Sequence, residues 1–134
     1  MKILVVGGGP SGLYFSLLMK KAFPAVEIHV HEKNRADDTF GWGVVFSEET
    51  LSRFAEADPE SYALIEGNLK YWDDIETYVS SGECVRSTGH GFCGLSRRKL
   101  LIILQQRCAE VGVQLHFQSE LRPDAMPEAD LVVV

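Results

Sequence analysis

The sequence predicts an α/β fold built on a parallel sheet, and three observations predict it. A short β-branched run, Lys2-Ile3-Leu4-Val5-Val6, stands first. It passes directly into Gly7-Gly8-Gly9-Pro10-Ser11-Gly12 and then an apolar helix reaching about Phe23. A second run follows in which Val26, Ile28 and Val30 alternate with Glu27, His29 and His31. Strand, glycine turn, helix and strand within about 30 residues make a βαβ unit.

Each element has its own justification. The first run is continuously apolar, as a strand buried on both faces is. Leu13, Leu17 and Leu18 give the helix one buried face, and Pro24 stops it. The second strand ends near Glu32. Asn34 to Gly43 is polar and turn-rich, which predicts a loop. Ser47 suits an N-cap, with Glu48 and Glu49 in the favourable first turn of a short helix. Asp58-Pro59 repeats that start with proline at the first helical position. Leu69 to Val79 alternates loosely, Ser80-Ser81-Gly82-Glu83 is a turn and Cys84 to Ser87 a return strand. A hairpin or strand pair inserted beside the main sheet is expected there. Ser96 can cap a further helix running to about Val111, with Leu100, Leu104, Cys108 and Val111 on one face and Gly112 as its stop. Val113, Leu115 and Phe117 alternate as a third sheet strand, and Ala129 to Val134 is a fourth. The chain ends within that run, so a truncated sheet belonging to a longer protein is expected.

Composition narrows the function. The chain has 134 residues, 46% hydrophobic and 24% charged, which suits one globular domain. Thirteen basic residues against nineteen acidic ones give a net charge of −6, so nucleic acid is not an expected partner. No apolar run approaches the roughly 20 residues that span a bilayer, and Ile3 to Val6 is too short for a signal-peptide core. A cytoplasmic protein without a membrane partner is expected. Cys84, Cys93 and Cys108 lack zinc or redox spacing, and they read as reduced thiols. His29, His31, His90 and His116 are scattered with no carboxylate or cysteine at ligand spacing, so no metal is expected.

Gly7, Gly9 and Gly12 form G-x-G-x-x-G between a strand and a helix. Gly7 allows the tight turn, Gly9 lets the backbone approach a pyrophosphate, and Gly12 lets helix pack on strand. The helix N-terminus then offers free N–H groups and a positive dipole end to the diphosphate. Pro10 has no N–H to give. Glu32 lies 20 positions after Gly12, where an acid takes a ribose diol. Pattern, context and acid agree on a dinucleotide site. FAD and NAD share the half that this motif reads, so the motif does not separate them. Glu32 disfavours a 2′-phosphate. Lys33 and Arg35 read equally as softening that repulsion or as a solvated basic turn. Ser16 keeps the small-residue step down the helix; Lys20 departs from it and is expected to snorkel at the helix end.

Two further segments, Gly41-Trp42-Gly43-Val44-Val45 and Gly94-Leu95-Ser96-Arg97-Arg98-Lys99-Leu100, resemble the single-component FAD-dependent aromatic-ring hydroxylases. Trp72-Asp73-Asp74-Ile75 and Gly89-His90-Gly91-Phe92-Cys93-Gly94 resemble, within that family, the group acting on salicylyl-CoA and anthraniloyl-CoA. The resemblance implies a Rossmann-like FAD-binding domain over residues 1–134 with a parallel sheet and a small inserted β element, and with the substrate domain outside this chain. It implies that NADH or NADPH is the transient reductant of FAD. It further implies oxygen transfer through a flavin hydroperoxide to an aromatic substrate carried as a CoA thioester. Of the residues in its motifs, Gly43 and Val44 would approach the flavin by backbone, and Trp42 would wall the site or pack internally. Arg97 would offer its guanidinium to phosphate or ribityl oxygens, and Lys33 would lie beside the adenine. Gly9, Pro10, Ser11 and Gly12 would surround the diphosphate and Glu32 the ribose.

No side chain is nominated as acid, base or nucleophile, and the isolated chain is expected to be inactive. His90 reads as a loop histidine without a carboxylate partner. Asp73 and Asp74, as neighbours along a strand, would point to opposite faces. Two other functions compete: an NAD-binding module of a dehydrogenase, and a piece that folds and self-associates through an apolar edge at Leu131 to Val134 without holding cofactor.

Overall fold

A computed structural model describes residues 1–134. The chain forms two compact units, residues 1–42 with 97–134, and residues 43–96.

The first unit holds the expected βαβ start. Strand β1 (Lys2–Val6) leads through the glycine turn into α1 (Pro10–Ala22), and β2 (Glu27–His31) follows. The two strands are parallel, with Ile3 opposite Ile28 and Val5 opposite Val30. Those four side chains share one face of the sheet and are buried. Leu13, Ser16 and Leu17 form the buried stripe of α1, while Leu18 is half-buried. Lys20 reaches past the helix end, where its ammonium donates to the carbonyls of Pro24 (2.9 Å) and Val26 (2.7 Å).

In the second unit, β3 (Gly43–Phe46) precedes α2 (Glu48–Ala57) and α3 (Pro59–Glu66). Ser47 caps α2 by accepting from the Thr50 N–H, and Asp58 caps α3 by accepting from the Ser61 N–H. Then come β4 (Lys70–Trp72), β5 (Ile75–Tyr78), β6 (Cys84–Ser87) and β7 (Phe92–Ser96). Here the structure corrects two expectations. The segment Gly41-Trp42-Gly43-Val44-Val45, a loop by its resemblance, is strand from Gly43 onward, paired antiparallel with β7 from Gly43–Ser96 to Phe46–Cys93. Gly94 to Ser96, grouped by the resemblance with the start of the following helix, instead belong with Phe92 and Cys93 to the central strand of a β3-β7-β4 sheet. The expected hairpin is present as β5-β6, turning between Tyr78 and Cys84, while β4 joins β3 and β7 in the second sheet. Local alternation could not reveal β7, because Gly94 interrupts it. The need for a glycine is tertiary: a Cβ there would lie 2.7 Å from the Val44 carbonyl oxygen.

The chain returns to the first unit in α4 (Arg97–Glu110), which starts directly after Ser96. Its buried face is wider than the expected stripe and includes Leu101, Ile103 and Arg107 beside Leu100, Leu104 and Cys108; Val111 is half-buried. The Cys108 thiol donates to the Leu13 carbonyl of α1 at 3.1 Å. Strand β8 (Gln114–His116) then pairs parallel with β2, and β9 (Leu131–Val133) pairs parallel with β1. The sheet order is β8-β2-β1-β9. The edge on which self-association was expected is therefore β9, where Leu131 and Val132 are 42% and 40% exposed. No helix is long and apolar enough to cross a membrane.

Candidate functional site: the glycine turn and its acid

The turn between β1 and α1 is built from two backbone demands. Gly7 sits at φ +110°, a conformation that side chains disfavour, while its N–H donates to the His31 carbonyl of β2 at 2.8 Å. Gly12 is required by contact: a Cβ there would lie 2.3 Å from the Gly7 carbonyl oxygen and 3.2 Å from Val5. Helix and strand therefore approach more closely than any other residue permits. At Gly9, by contrast, a Cβ would meet nothing within 4 Å.

Gly9 is also the N-cap of α1, with Pro10 in the first turn, no side-chain cap and no acidic residue there. The first N–H groups of the helix are thus left without a side-chain acceptor, and their dipole end is not neutralised. They face an open cleft of about 410 Å³ whose lining includes Gly7, Gly9, Pro10, Ser11, Gly12 and Arg97.

Glu32 follows β2 and is gripped by the chain itself. Its Oε2 accepts the Gly8 N–H at 2.8 Å. Its Oε1 accepts the backbone N–H of Asn34 at 2.8 Å and the Asn34 side-chain amide at 2.7 Å. Burial alone would raise the Glu32 pKa; the N–H groups of Asn34 and Gly8, the Asn34 amide and the charge of Lys33 outweigh it and hold the pKa below the ordinary carboxylate range. The acid is ionised and oriented, with acceptor capacity beyond those three bonds. Gly8 and Asn34 are the residues that motif reasoning missed. A Cβ on Gly8 would lie 2.9 Å from the Glu32 Cβ, so the middle glycine exists for the acid. The only sequence signal for Asn34 was an amide two positions after that acid.

Two smaller clefts flank Glu32. One of about 310 Å³ is lined by Gly7, His31, Glu32 and Lys33 among others. The other, about 90 Å³, is lined by Gly9, Glu32, Asn34, Arg35, Arg97 and neighbours. Arg35 is tied into its own turn, its side chain 3.3 Å from Asp37 and its N–H on Asp38. Arg97, at the start of α4, lines both the Gly9 clefts. Its N–H donates to the Trp42 carbonyl at 3.2 Å. The structure thus brings together Gly7, Gly9, Pro10, Ser11, Gly12, Glu32, Lys33 and Arg97. Trp42 is 98% exposed, which removes the internal-packing reading of its side chain. Gly43 and Val44 belong to the other unit, as residues of β3.

The remaining candidates resolve differently. Asp73 and Asp74 are not on a strand but in the turn between β4 and β5. Asp73 accepts the N–H groups of Gly89 and Gly91, both at 3.0 Å, and Asp74 pairs with Arg86. Each carboxylate is committed to holding the hairpin. His90 bonds the Ser87 hydroxyl at 2.7 Å and stacks on Phe92. The other histidines overturn the expectation of scatter: His29, His31 and His116 each offer a ring nitrogen within 4.8 Å of the others. Linear spacing cannot see this cluster, because it forms only when β8 pairs with β2 and sets His116 opposite His31.

The residues fit the adenosine-diphosphate half of a dinucleotide such as FAD, on three features of the chain: the uncapped, acid-free N-terminus of α1, the open space over Gly9, and a fixed carboxylate at Glu32. No protein-family model matches the chain. Among curated proteins it is 46% identical over its whole length to a salicyloyl-CoA 5-hydroxylase from a Streptomyces species, of which it covers 26%. It is 34% identical, again over its whole length, to a protodeoxyviolaceinate monooxygenase from Chromobacterium violaceum, covering 37% of that protein. A 3-hydroxy-4-methyl-anthranilyl-[aryl-carrier protein] 5-monooxygenase from Streptosporangium sibiricum is 31% identical over 99% of the chain, which covers 37% of it. The chain therefore spans between a quarter and two-fifths of the length of these relatives. Among solved structures, 2-methyl-3-hydroxypyridine-5-carboxylic acid oxygenase superposes with a TM-score of 0.78 at 22% identity, over 98% of this chain and 38% of that one. A protein described as an FAD-containing monooxygenase from Photorhabdus luminescens gives 0.72 at 17% identity, over 98% of this chain and 38% of that one. Over its whole length the chain is thus similar in sequence to part of several proteins named as monooxygenases, and its fold matches part of solved oxygenase and FAD-containing monooxygenase structures.

Proposed function

We propose that this chain holds FAD through its adenosine-diphosphate half, as part of a monooxygenase that hydroxylates an aromatic ring. The observation that carries the reading is the meeting of an uncapped helix N-terminus, Glu32 and Arg97 around the clefts at Gly9. The N–H groups of Ser11 and Gly12 bind the diphosphate, where the helix dipole favours negative charge. Glu32 accepts from the ribose hydroxyls while Gly8 and Asn34 keep it in place. Lys33 lies beside the adenine. Arg97 offers a planar fork of donors to phosphate or ribityl oxygens, a task for which lysine is no equivalent. Bound there, FAD supplies two-electron redox and oxygen-activating chemistry, with NADH or NADPH as the reductant.

The substrate we infer is an aromatic acyl group carried on a thioester. Two of the three relatives support this: one is named for a CoA thioester and one for an aryl-carrier protein. The reading of an NAD-binding dehydrogenase module is disfavoured by monooxygenase relatives at up to 46% identity. The test is made on the full-length protein that contains this chain. Salicyloyl-CoA and anthraniloyl-CoA are supplied with NADH or NADPH, and the ring product is followed by mass. A product heavier by one oxygen, labelled from dioxygen, supports the proposal. Reduced-cofactor oxidation with no ring product from either thioester contradicts the substrate class.

A further inference from the structure

We propose that His29, His31 and His116 form a three-histidine site for a divalent transition-metal ion of the zinc class, on the sheet face turned away from Ile28 and Val30. The three ligand nitrogens lie within 4.8 Å of one another. A tetrahedral ion bound at about 2.0–2.1 Å needs its ligand nitrogens about 3.3 Å apart. His29 Nδ1 and His116 Nε2 are already 3.0 Å apart, and a side-chain adjustment of His31 closes the third position. Two strands fix the rings. His29 and His31 alternate onto one face of β2, and the parallel register sets His116 of β8 opposite His31.

The partners of the outer ring nitrogens support ligation. Metal-bound histidines hold their second nitrogen on a carboxylate or another acceptor, which fixes tautomer and orientation. His29 Nε2 lies 2.6 Å from Glu27 Oε1, and His31 Nδ1 lies 2.8 Å from Ser119 Oγ. With Nε2 of His29 donating to the ionised Glu27, its Nδ1 presents a lone pair. His116 Nε2 donates to that lone pair in the metal-free state. Metal binding moves this proton to Nδ1 of His116 and frees Nε2, so neutral rings are ligated without net proton release. The rings are half-buried, which leaves the fourth position to water. Lys2, the cation beside the cluster on β1, stands in register with Glu27, whose carboxylate offsets it.

The test is a Zn2+ titration of the whole chain by calorimetry, with His116→Gln and Glu27→Gln alongside. One ion per chain is expected. His116→Gln should weaken binding at least a hundredfold, and Glu27→Gln roughly tenfold. Circular dichroism of the metal-free variants checks that they fold. Imidazole nitrogen NMR on the unaltered chain removes dependence on the variants, since Zn2+ should shift His29, His31 and His116 and leave His90 in place. Absence of one-to-one binding, equal affinity in His116→Gln, or imidazole shifts centred on His90 would overturn the proposal.

Discussion

A methyl group on Gly12 would press on the Gly7 carbonyl, which is backbone and cannot turn aside. Gly12→Ala should therefore destabilise the chain by about 3 kcal/mol, read by urea unfolding. Gly9 separates binding from folding. Its backbone, at φ −74° and ψ 173°, suits any residue, and a Cβ there meets open space. Gly9→Ala should stay within about 1 kcal/mol of the parent yet bind FAD at least tenfold more weakly, measured by flavin fluorescence quenching. Equal affinity would remove the diphosphate from that turn. Glu32 gives a pH signature. Its pKa is lowered in the folded chain, so its contribution to stability is complete above the ordinary carboxylate range and is lost as pH falls through the lowered value. Glu32→Gln should flatten the acid limb of stability against pH; parallel profiles would contradict the hydrogen bonds assigned to Gly8 and Asn34.

At the scale of elements, Asp58 joins two helices. It ends α2, its N–H donating to Phe54, and its carboxylate accepts from Ser61 to start α3. It is fully buried. Asp58→Ala should cost about 2 kcal/mol, at the upper end for an N-cap because the site is dry, and thermal unfolding would show it. Those two caps were legible in sequence because capping is local chemistry. The βαβ start was legible for the same reason: glycine spacing, apolar periodicity and the distance to Glu32 are all short-range. What stayed hidden was set by pairing at long range. Strand β7 depends on β3 and β4 on either side of it, and the histidine cluster depends on β8 finding β2. Gly8 was hidden because its demand for glycine comes from Glu32, 24 positions away.

For the molecule as a whole, each compact unit carries its own buried thiol. Cys108 lies in the first and Cys93 in the second, whereas Cys84 is exposed. Burial pushes the Cys108 thiol up to about 12 and raises that of Cys93. A thiol reagent should modify Cys84 at once, and Cys93 and Cys108 only as their respective units open. Prompt reaction of all three would contradict the packing of both. The first unit is proposed to present a dinucleotide cradle for FAD, and FAD retention tests this directly. The visible absorption spectrum is recorded after the chain is mixed with FAD and desalted, beside the Gly9→Ala and Glu32→Ala variants. A flavin band retained by the parent chain and diminished in both variants is the predicted result. A band retained equally by all three, or NAD bound where FAD is not, would contradict it.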